Sequence, residues 1–148
     1  MDNIEEESGK IAASHFREGY NCAESVLMAM QEEWKMEKRP NIATAFGAGI
    51  GRRGSLCGVV AGGIIAINLK YGRMEAKEDK EKSYALASNY YKNFEKEFGS
   101  AICHDLIECD LTTSHGQKTF KDANLLEKKC IGFVEGAVKI LTALTKEI

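Results

Sequence analysis

Five cysteines, Cys22, Cys57, Cys103, Cys109 and Cys130, are the residues of this chain best suited to chemistry. A thiolate is both a strong nucleophile and a soft metal ligand, so gathered cysteines can exchange disulfides or hold a metal centre. Cys57 stands inside AFGAGIGRRGSLCGVVAGG, where seven of the fourteen glycines fall between Gly47 and Gly63. Glycine is costly unless the backbone must turn sharply or come very close to something, so a cysteine held there is poorly explained as filling. An odd number of cysteines and an acidic, polar N-terminus, MDNIEEESGK, point to the reducing cytoplasm rather than to export. In that compartment cysteines serve as metal ligands or redox groups more often than as permanent disulfides.

No C-x-x-C is present, so neither a zinc ribbon nor a thioredoxin-type pair is encoded locally. Gaps of 35, 46 and 27 residues separate Cys22, Cys57, Cys103 and Cys130, so the fold must bring any shared site together. Facing helices of a bundle can do that. The run Gly49-Ile50-Gly51-Arg52-Arg53-Gly54 matches G-x-G-x-x-G. A dinucleotide site also needs a second strand with an acidic residue about 20 positions on, and a charged helix occupies that place. Anion binding by Arg52, Arg53 and a helix N-terminus is the looser reading of the same residues. Close packing is the plain one: Gly58 and Gly62 are one turn apart and, with Ala61 and Ala66, let another helix approach.

The elements that must position these residues read as helices. A first helix covers about residues 4–18, with Ile4, Ile11, Ala12, His15 and Phe16 roughly on one side, and Glu18-Gly19-Tyr20 ends it. Asn21-Cys22-Ala23-Glu24 is a capping-box pattern opening a second helix to about Lys35. Pro40 lies in a loop, and a short helical piece covers Ile42 to Phe46. Ser55 suits an N-cap for a helix from Leu56 to about Lys70. Residues 75–98 form a charged helix with Met74, Tyr84, Ala87, Tyr91, Phe94 and Phe98 as its apolar stripe. Ser100 suits a cap for a short helix through Ile107. Asp110 to Lys118 reads as polar loop. Asn124-Leu125-Leu126-Glu127 resembles a second capping box, opening a last helix with Cys130, Phe133, Val134, Ala137, Leu141 and Leu144 on one face. The expected architecture is all-α, a compact single domain over residues 1–148 with about five to six helices and a glycine-rich loop.

On this reading Cys22 is the first residue after its cap, Cys57 the second after Ser55 and Cys103 the third after Ser100. A helix start offers unpaired N–H groups and about half a unit of positive charge, and both favour thiolate. The competing reading is core packing, because free cysteine behaves as a small hydrophobe and both Cys22 and Cys130 continue apolar stripes. Cys109, between Glu108 and Asp110, reads as incidental. His15 reads as a satisfied core histidine, His104 as a surface or capping group and His115 as solvated.

Composition excludes several classes. The chain has 148 residues, 44% hydrophobic and 28% charged, which is ordinary for a globular protein. A net charge of −2 gives no footprint for nucleic acid. The longest uncharged run, sixteen residues from Gly54 to Leu69, is too short and glycine-rich to span a membrane, and it reads as a buried core helix. The long amphipathic helix suits a homodimer.

The cysteine segments resemble those of the C_GCAxxG_C_C family, named for four cysteines and a CGAxxG motif. Gly19-Tyr20-Asn21-Cys22-Ala23-Glu24 is similar to the first cysteine segment. Phe46-Gly47-Ala48-Gly49-Ile50-Gly51 with Cys57-Gly58-Val59-Val60-Ala61-Gly62 is similar to the central one, Val59 replacing alanine. Phe98-Gly99-Ser100 through Cys103-His104-Asp105-Leu106 is similar to the third, and Cys130 to the fourth; Cys109 lies outside the signature. The resemblance implies an all-helical fold and a redox role for Cys22, Cys57, Cys103 and Cys130. Two mechanisms fit. In one, a low-pKa thiolate attacks and a second cysteine resolves, with Cys57 attacking and Cys22 or Cys103 resolving. In the other, the four thiolates hold an iron–sulfur cluster or another soft metal, and Gly47, Gly49, Gly51, Gly54 and Gly58 place backbone N–H groups around it. Zinc is a weaker third choice. Either mechanism needs an electron donor or acceptor that the residues leave unidentified. The alternative from another class is a non-catalytic helical interaction module with core cysteines.

Overall fold

The computed structural model describes residues 3–146; residues 1, 2, 147 and 148, the ends of the expected 1–148 domain, lie outside the described residues. Eight helices follow one another: α1 (Asn3–Arg17), α2 (Cys22–Glu33), α3 (Gly47–Ile50), α4 (Gly58–Tyr71), α5 (Glu81–Phe98), α6 (Cys103–Ile107), α7 (Ser114–Asp122) and α8 (Ile131–Thr145). Two 3-10 turns, Pro40–Ile42 and Thr44–Phe46, precede α3, and a π turn, Leu126–Cys130, runs into α8. The all-helical expectation holds, but the count exceeds the five to six foreseen. Asp110 to Lys118, read as loop, supplies most of α7: Thr113 Oγ1 accepts the Gly116 N–H at 2.9 Å and starts the helix. The polar sequence hid a helix whose start depends on one cap.

The core lies between α2, α4 and α8, where Leu27, Met30, Val59, Ile67, Val134 and Leu141 are fully buried. Helix α4 is buried along most of its length, as an apolar run without charges requires. It can approach α2 closely because Gly62 faces the Ala23 backbone, where a Cβ would stand 2.4 Å from the Ala23 carbonyl oxygen. Helix α1 runs antiparallel to α8, with Glu6 paired to Lys139 at 3.3 Å at one end and Arg17 to Glu127 at 3.2 Å at the other.

Three stripe assignments need correction. Ile4 is 49% exposed, Tyr84 62% and Met74 95%. Helix α5 starts at Glu81 rather than near residue 75, because the Glu78 carboxylate instead holds the preceding turn, accepting the Met74 and Glu75 N–H groups at 2.8 and 2.7 Å. Its buried face is Ser83, Leu86, Tyr90 and Phe94, rotated from the stripe foreseen. Tyr90 is the anchor: its hydroxyl donates to the Val59 carbonyl at 2.5 Å, and its ring fills the space left by Gly63. None of the helices among the described residues is long and apolar enough to cross a membrane.

Candidate functional site

Cys22 is the first residue of α2, directly after the foreseen capping box. Asn21 Oδ1 accepts the Glu24 N–H and Glu24 Oε1 accepts the Asn21 N–H, both at 2.9 Å. Asn21 Nδ2 also donates to the Thr44 carbonyl at 2.9 Å, which ties the start of α2 to the glycine-rich segment. Asn21→Ala is therefore expected to destabilise the fold by about 1–2 kcal/mol, read from the denaturant midpoint.

Cys57 and Cys103 meet through a contact that helix patterns do not encode. Leu56 and Ile102 form an isolated antiparallel bridge, in which Cys57 N–H donates to the Ala101 carbonyl and Cys103 N–H to the Ser55 carbonyl, both at 2.7 Å. Alternation along extended backbone then places Cys57 and Cys103 on one face as diagonal neighbours, roughly 7–8 Å apart. The bridge also moves the helix starts. Ser55 does not cap α4; Cys57 occupies the cap position itself. Ser100 does not cap α6, which begins at Cys103 after Ile102; the Ser100 hydroxyl instead accepts the Ile102 N–H at 3.0 Å. Nor does Asn124 open α8 with a capping box: it sits at φ 54°, and Cys130 ends the π turn that leads into α8.

The glycine-rich segment makes an unusual turn. Residues 48–52 all have positive φ, including Ala48 at 56°, Ile50 at 68° and Arg52 at 71°. Left-handed backbone costs an L-residue about 1–2 kcal/mol, so three such residues in succession with glycines store strain that the surrounding fold must sustain. Two glycines, one in the turn and one at the start of α4, allow close approach to two of the cysteines. A Cβ on Gly49 would lie 2.7 Å from Cys103 Cβ, and one on Gly58 would lie 2.3 Å from Cys22 Sγ. Gly47 packs against Asn21 and Gly54 against His104, while Gly51 has nothing within 4 Å of its Cβ position.

One cavity of about 630 Å³ joins these pieces. Cys22, Cys57, Cys103 and Cys130 all line it, as does Gly58; of the other glycines expected to surround the site, Gly47, Gly49, Gly51 and Gly54, none lines it. All five cysteines are free thiols. Each pair among the four lining cysteines interacts electrostatically, so a negative charge on one opposes ionisation of another. Cys109 does not line the cavity. It is buried beside Cys103, Ile107 and Leu111, and its Sγ lies 3.7 Å from the Gly116 carbonyl oxygen. His104 and His115 are exposed. His15 Nε2 pairs with Glu32 Oε2 at 2.5 Å, away from the sulfurs.

The thiols are not poised as low-pKa nucleophiles, which corrects the expectation drawn from their helix starts. Burial pushes the Cys103 thiol up to about 11, with the charges of Cys22 and Cys109 adding to the effect. Burial, then Cys22 and Cys103, push Cys130 up to about 12. Cys57 is raised well above its ordinary value by burial and then by Cys22. Burial also raises Cys22, but backbone N–H groups of Ala48, Ala23, Cys22 and Gly58 oppose it. A helix end is worth up to about 1 kcal/mol at most sites, whereas full burial shifts a pKa by up to 3–5 units, so desolvation wins.

The sign of the pH dependence follows. An unfolded cysteine ionises near 9.0, before the folded thiols do at about 11 and 12. Stability tied to the neutral thiols is intact below about pH 9 and is lost as pH rises towards 11 and 12. The melting temperature of metal-free, reduced protein is expected to fall across that range, and iodoacetamide is expected to alkylate these thiols at pH 8 far more slowly than a free thiol.

Among the described residues, no three histidine, cysteine, aspartate or glutamate side chains converge to hold a single metal ion. The four-sulfur set nevertheless suits a polynuclear centre, in which each thiolate binds a different metal atom and none must meet at one point.

Comparison with known proteins agrees with the cysteine pattern. An uncharacterized protein of Archaeoglobus fulgidus is 28% identical over 139 residues, covering 86% of this chain and 85% of that protein. No solved structure matches the chain. The family model described as "Putative redox-active protein (C_GCAxxG_C_C)" matches residues 20–144, a span holding all five cysteines, and the chain belongs to that family.

Proposed function

We propose that the protein is an electron-carrying redox protein of the reducing cytoplasm whose Cys22, Cys57, Cys103 and Cys130 hold an iron–sulfur cluster. The observation that carries this reading is that four sulfurs from four separate helix starts or junctions line one cavity whose walls carry Arg52 and Lys121 but no acidic side chain. Four thiolates on a cluster make an anionic group, and a wall without carboxylates does not oppose it. Burial supports the same choice. A buried thiol gives up its proton reluctantly to water but readily to a metal, because the metal supplies the compensating positive charge. When bound, the cluster supplies one-electron transfer. The chain's own residues hold the thiolates, exclude water and stabilise negative charge; the N–H groups of Ala48, Ala23, Cys22 and Gly58 around Cys22, and of Val59 near Cys57, do the last.

A second reading rests on one contact. Cys22 Sγ presses on Gly58, the residue after Cys57, so Cys22 and Cys57 are the natural pair for dithiol–disulfide exchange. Raised thiol pKa values weigh against it, because the attacking species is the thiolate. Anaerobic purification with iron and acid-labile sulfide analysis tests the choice. The expected result is a coloured protein with stoichiometric iron and sulfide. A colourless protein that loses two thiols under mild oxidant, and regains them with reductant, would replace the cluster with the dithiol.

A further inference from the structure

The cavity is larger than a metal centre needs. Its volume of about 630 Å³ lies in the range of small-molecule sites, roughly 300–1,000 Å³. Its wall beyond the sulfurs has a definite chemical character. Phe16, Tyr20, Phe120 and Phe133 line it, and none of these rings is fully buried. The charged groups on the wall are Arg52 and Lys121, both exposed and both without an ion pair among the described residues. Neighbouring Arg53 differs, since its charge helps hold the Asp110 carboxyl below the usual carboxylate range, after the hydrogen bonds from Thr112. The two cations come from distant parts of the chain. Arg52 is the last residue of the left-handed turn at φ 71°, and Lys121 lies in the last turn of α7, the helix whose sequence reads as polar loop.

We propose that this cavity binds a small aromatic anion, its rings against the half-exposed phenyl groups and its charge between Arg52 and Lys121. Apolar burial supplies most of the affinity, and the cations select charge. The inference deepens the redox reading by naming the class of molecule that reaches the sulfurs. It rests on that reading only for the claim that the bound anion meets a redox centre, because anion binding does not itself require a metal.

Calorimetric titration of the full chain with 2-naphthoate and with uncharged 2-naphthamide tests it, on metal-free reduced protein and on protein purified anaerobically. Naphthoate is expected to bind at least tenfold more tightly than naphthamide. Arg52→Gln and Lys121→Gln are each expected to weaken naphthoate about tenfold, the scale of one charge-assisted contact, and to leave naphthamide unchanged. Both side chains are exposed, so unchanged melting temperatures are expected to accompany the loss. Equal affinity for the two probes, affinity for naphthoate that ignores both substitutions, or no saturable binding overturns the proposal. The two readings fail separately. Charge-selective binding to a protein that takes up no iron keeps the anion site and removes the cluster; iron uptake without charge selection does the reverse.

Discussion

Cys57→Ser is expected to remove bound iron and sulfide almost completely while leaving the helical circular dichroism in place. Cys57 is 6% exposed and packs in the main core, so serine there loses some apolar burial, but its size and position are retained. Its effect on the proposed centre is expected to be much larger. Serine oxygen is a hard donor that holds its proton, and Cys57 interacts electrostatically with each of Cys22, Cys103 and Cys130. Cys109→Ser is the matched control. Cys109 is as buried as Cys103, at 7%, yet stands off the cavity wall, so iron content should be unchanged. Equal iron in wild type and Cys57→Ser would remove Cys57 from the ligand set. Equal loss in Cys109→Ser would show that burial of any cysteine in this region, rather than ligation, sets metal content.

Gly58→Ala should impair the site with all four sulfurs still present. The added methyl would stand 2.3 Å from Cys22 Sγ, 3.1 Å from the Phe46 carbonyl oxygen and 3.3 Å from the Ala23 nitrogen. The sulfur can rotate away but the backbone atoms cannot, so α2 and α4 must separate slightly. Overpacking of this kind costs about 1–3 kcal/mol, visible in chemical denaturation. Metal uptake should fall with it, because Cys22 leaves the N–H groups that stabilise its negative charge. Gly132→Ala provides the contrast. Gly132 lies in α8 with nothing within 4 Å of its Cβ position and no positive φ, so alanine should stabilise by about 0.5–1 kcal/mol and leave iron unchanged. A Gly58→Ala protein with wild-type stability and iron content would mean that the close approach of Cys22 to Gly58 has no role in the site.

Three local features stand as their patterns imply. The Asn21 capping box, the stop at Gly19 and the buried run of α4 depend on residues within a turn or two of each other, and each stands where the pattern placed it. Gly62 and Gly63 likewise mark close packing, against Ala23 and Tyr90. Some departures are local too: the Glu78 carboxylate delays α5, the Thr113 cap starts α7, and Asn124 sits at positive φ. Others arise where a neighbour from elsewhere in the chain sets the outcome. Ser55 and Ser100 are plausible caps by composition, but the Leu56–Ile102 bridge uses the backbone around both, and the helices start later. The α5 stripe was rotated because the choice between Tyr84 and Tyr90 as the buried ring depends on Gly63 of another helix.

By itself the sequence determined which atoms are available: four signature sulfurs, of which Cys22 is set at a helix start by its own capping box, and a glycine-rich segment with unusual backbone freedom. Such features survive without a partner because hydrogen bonds within one turn decide them. Only the tertiary structure decided that those sulfurs share a cavity, that Arg52 and Lys121 line it with them, and that the thiols are held neutral rather than charged. Desolvation depends on everything packed around a group, and distant segments supply that surrounding, so no local pattern can reveal its sign.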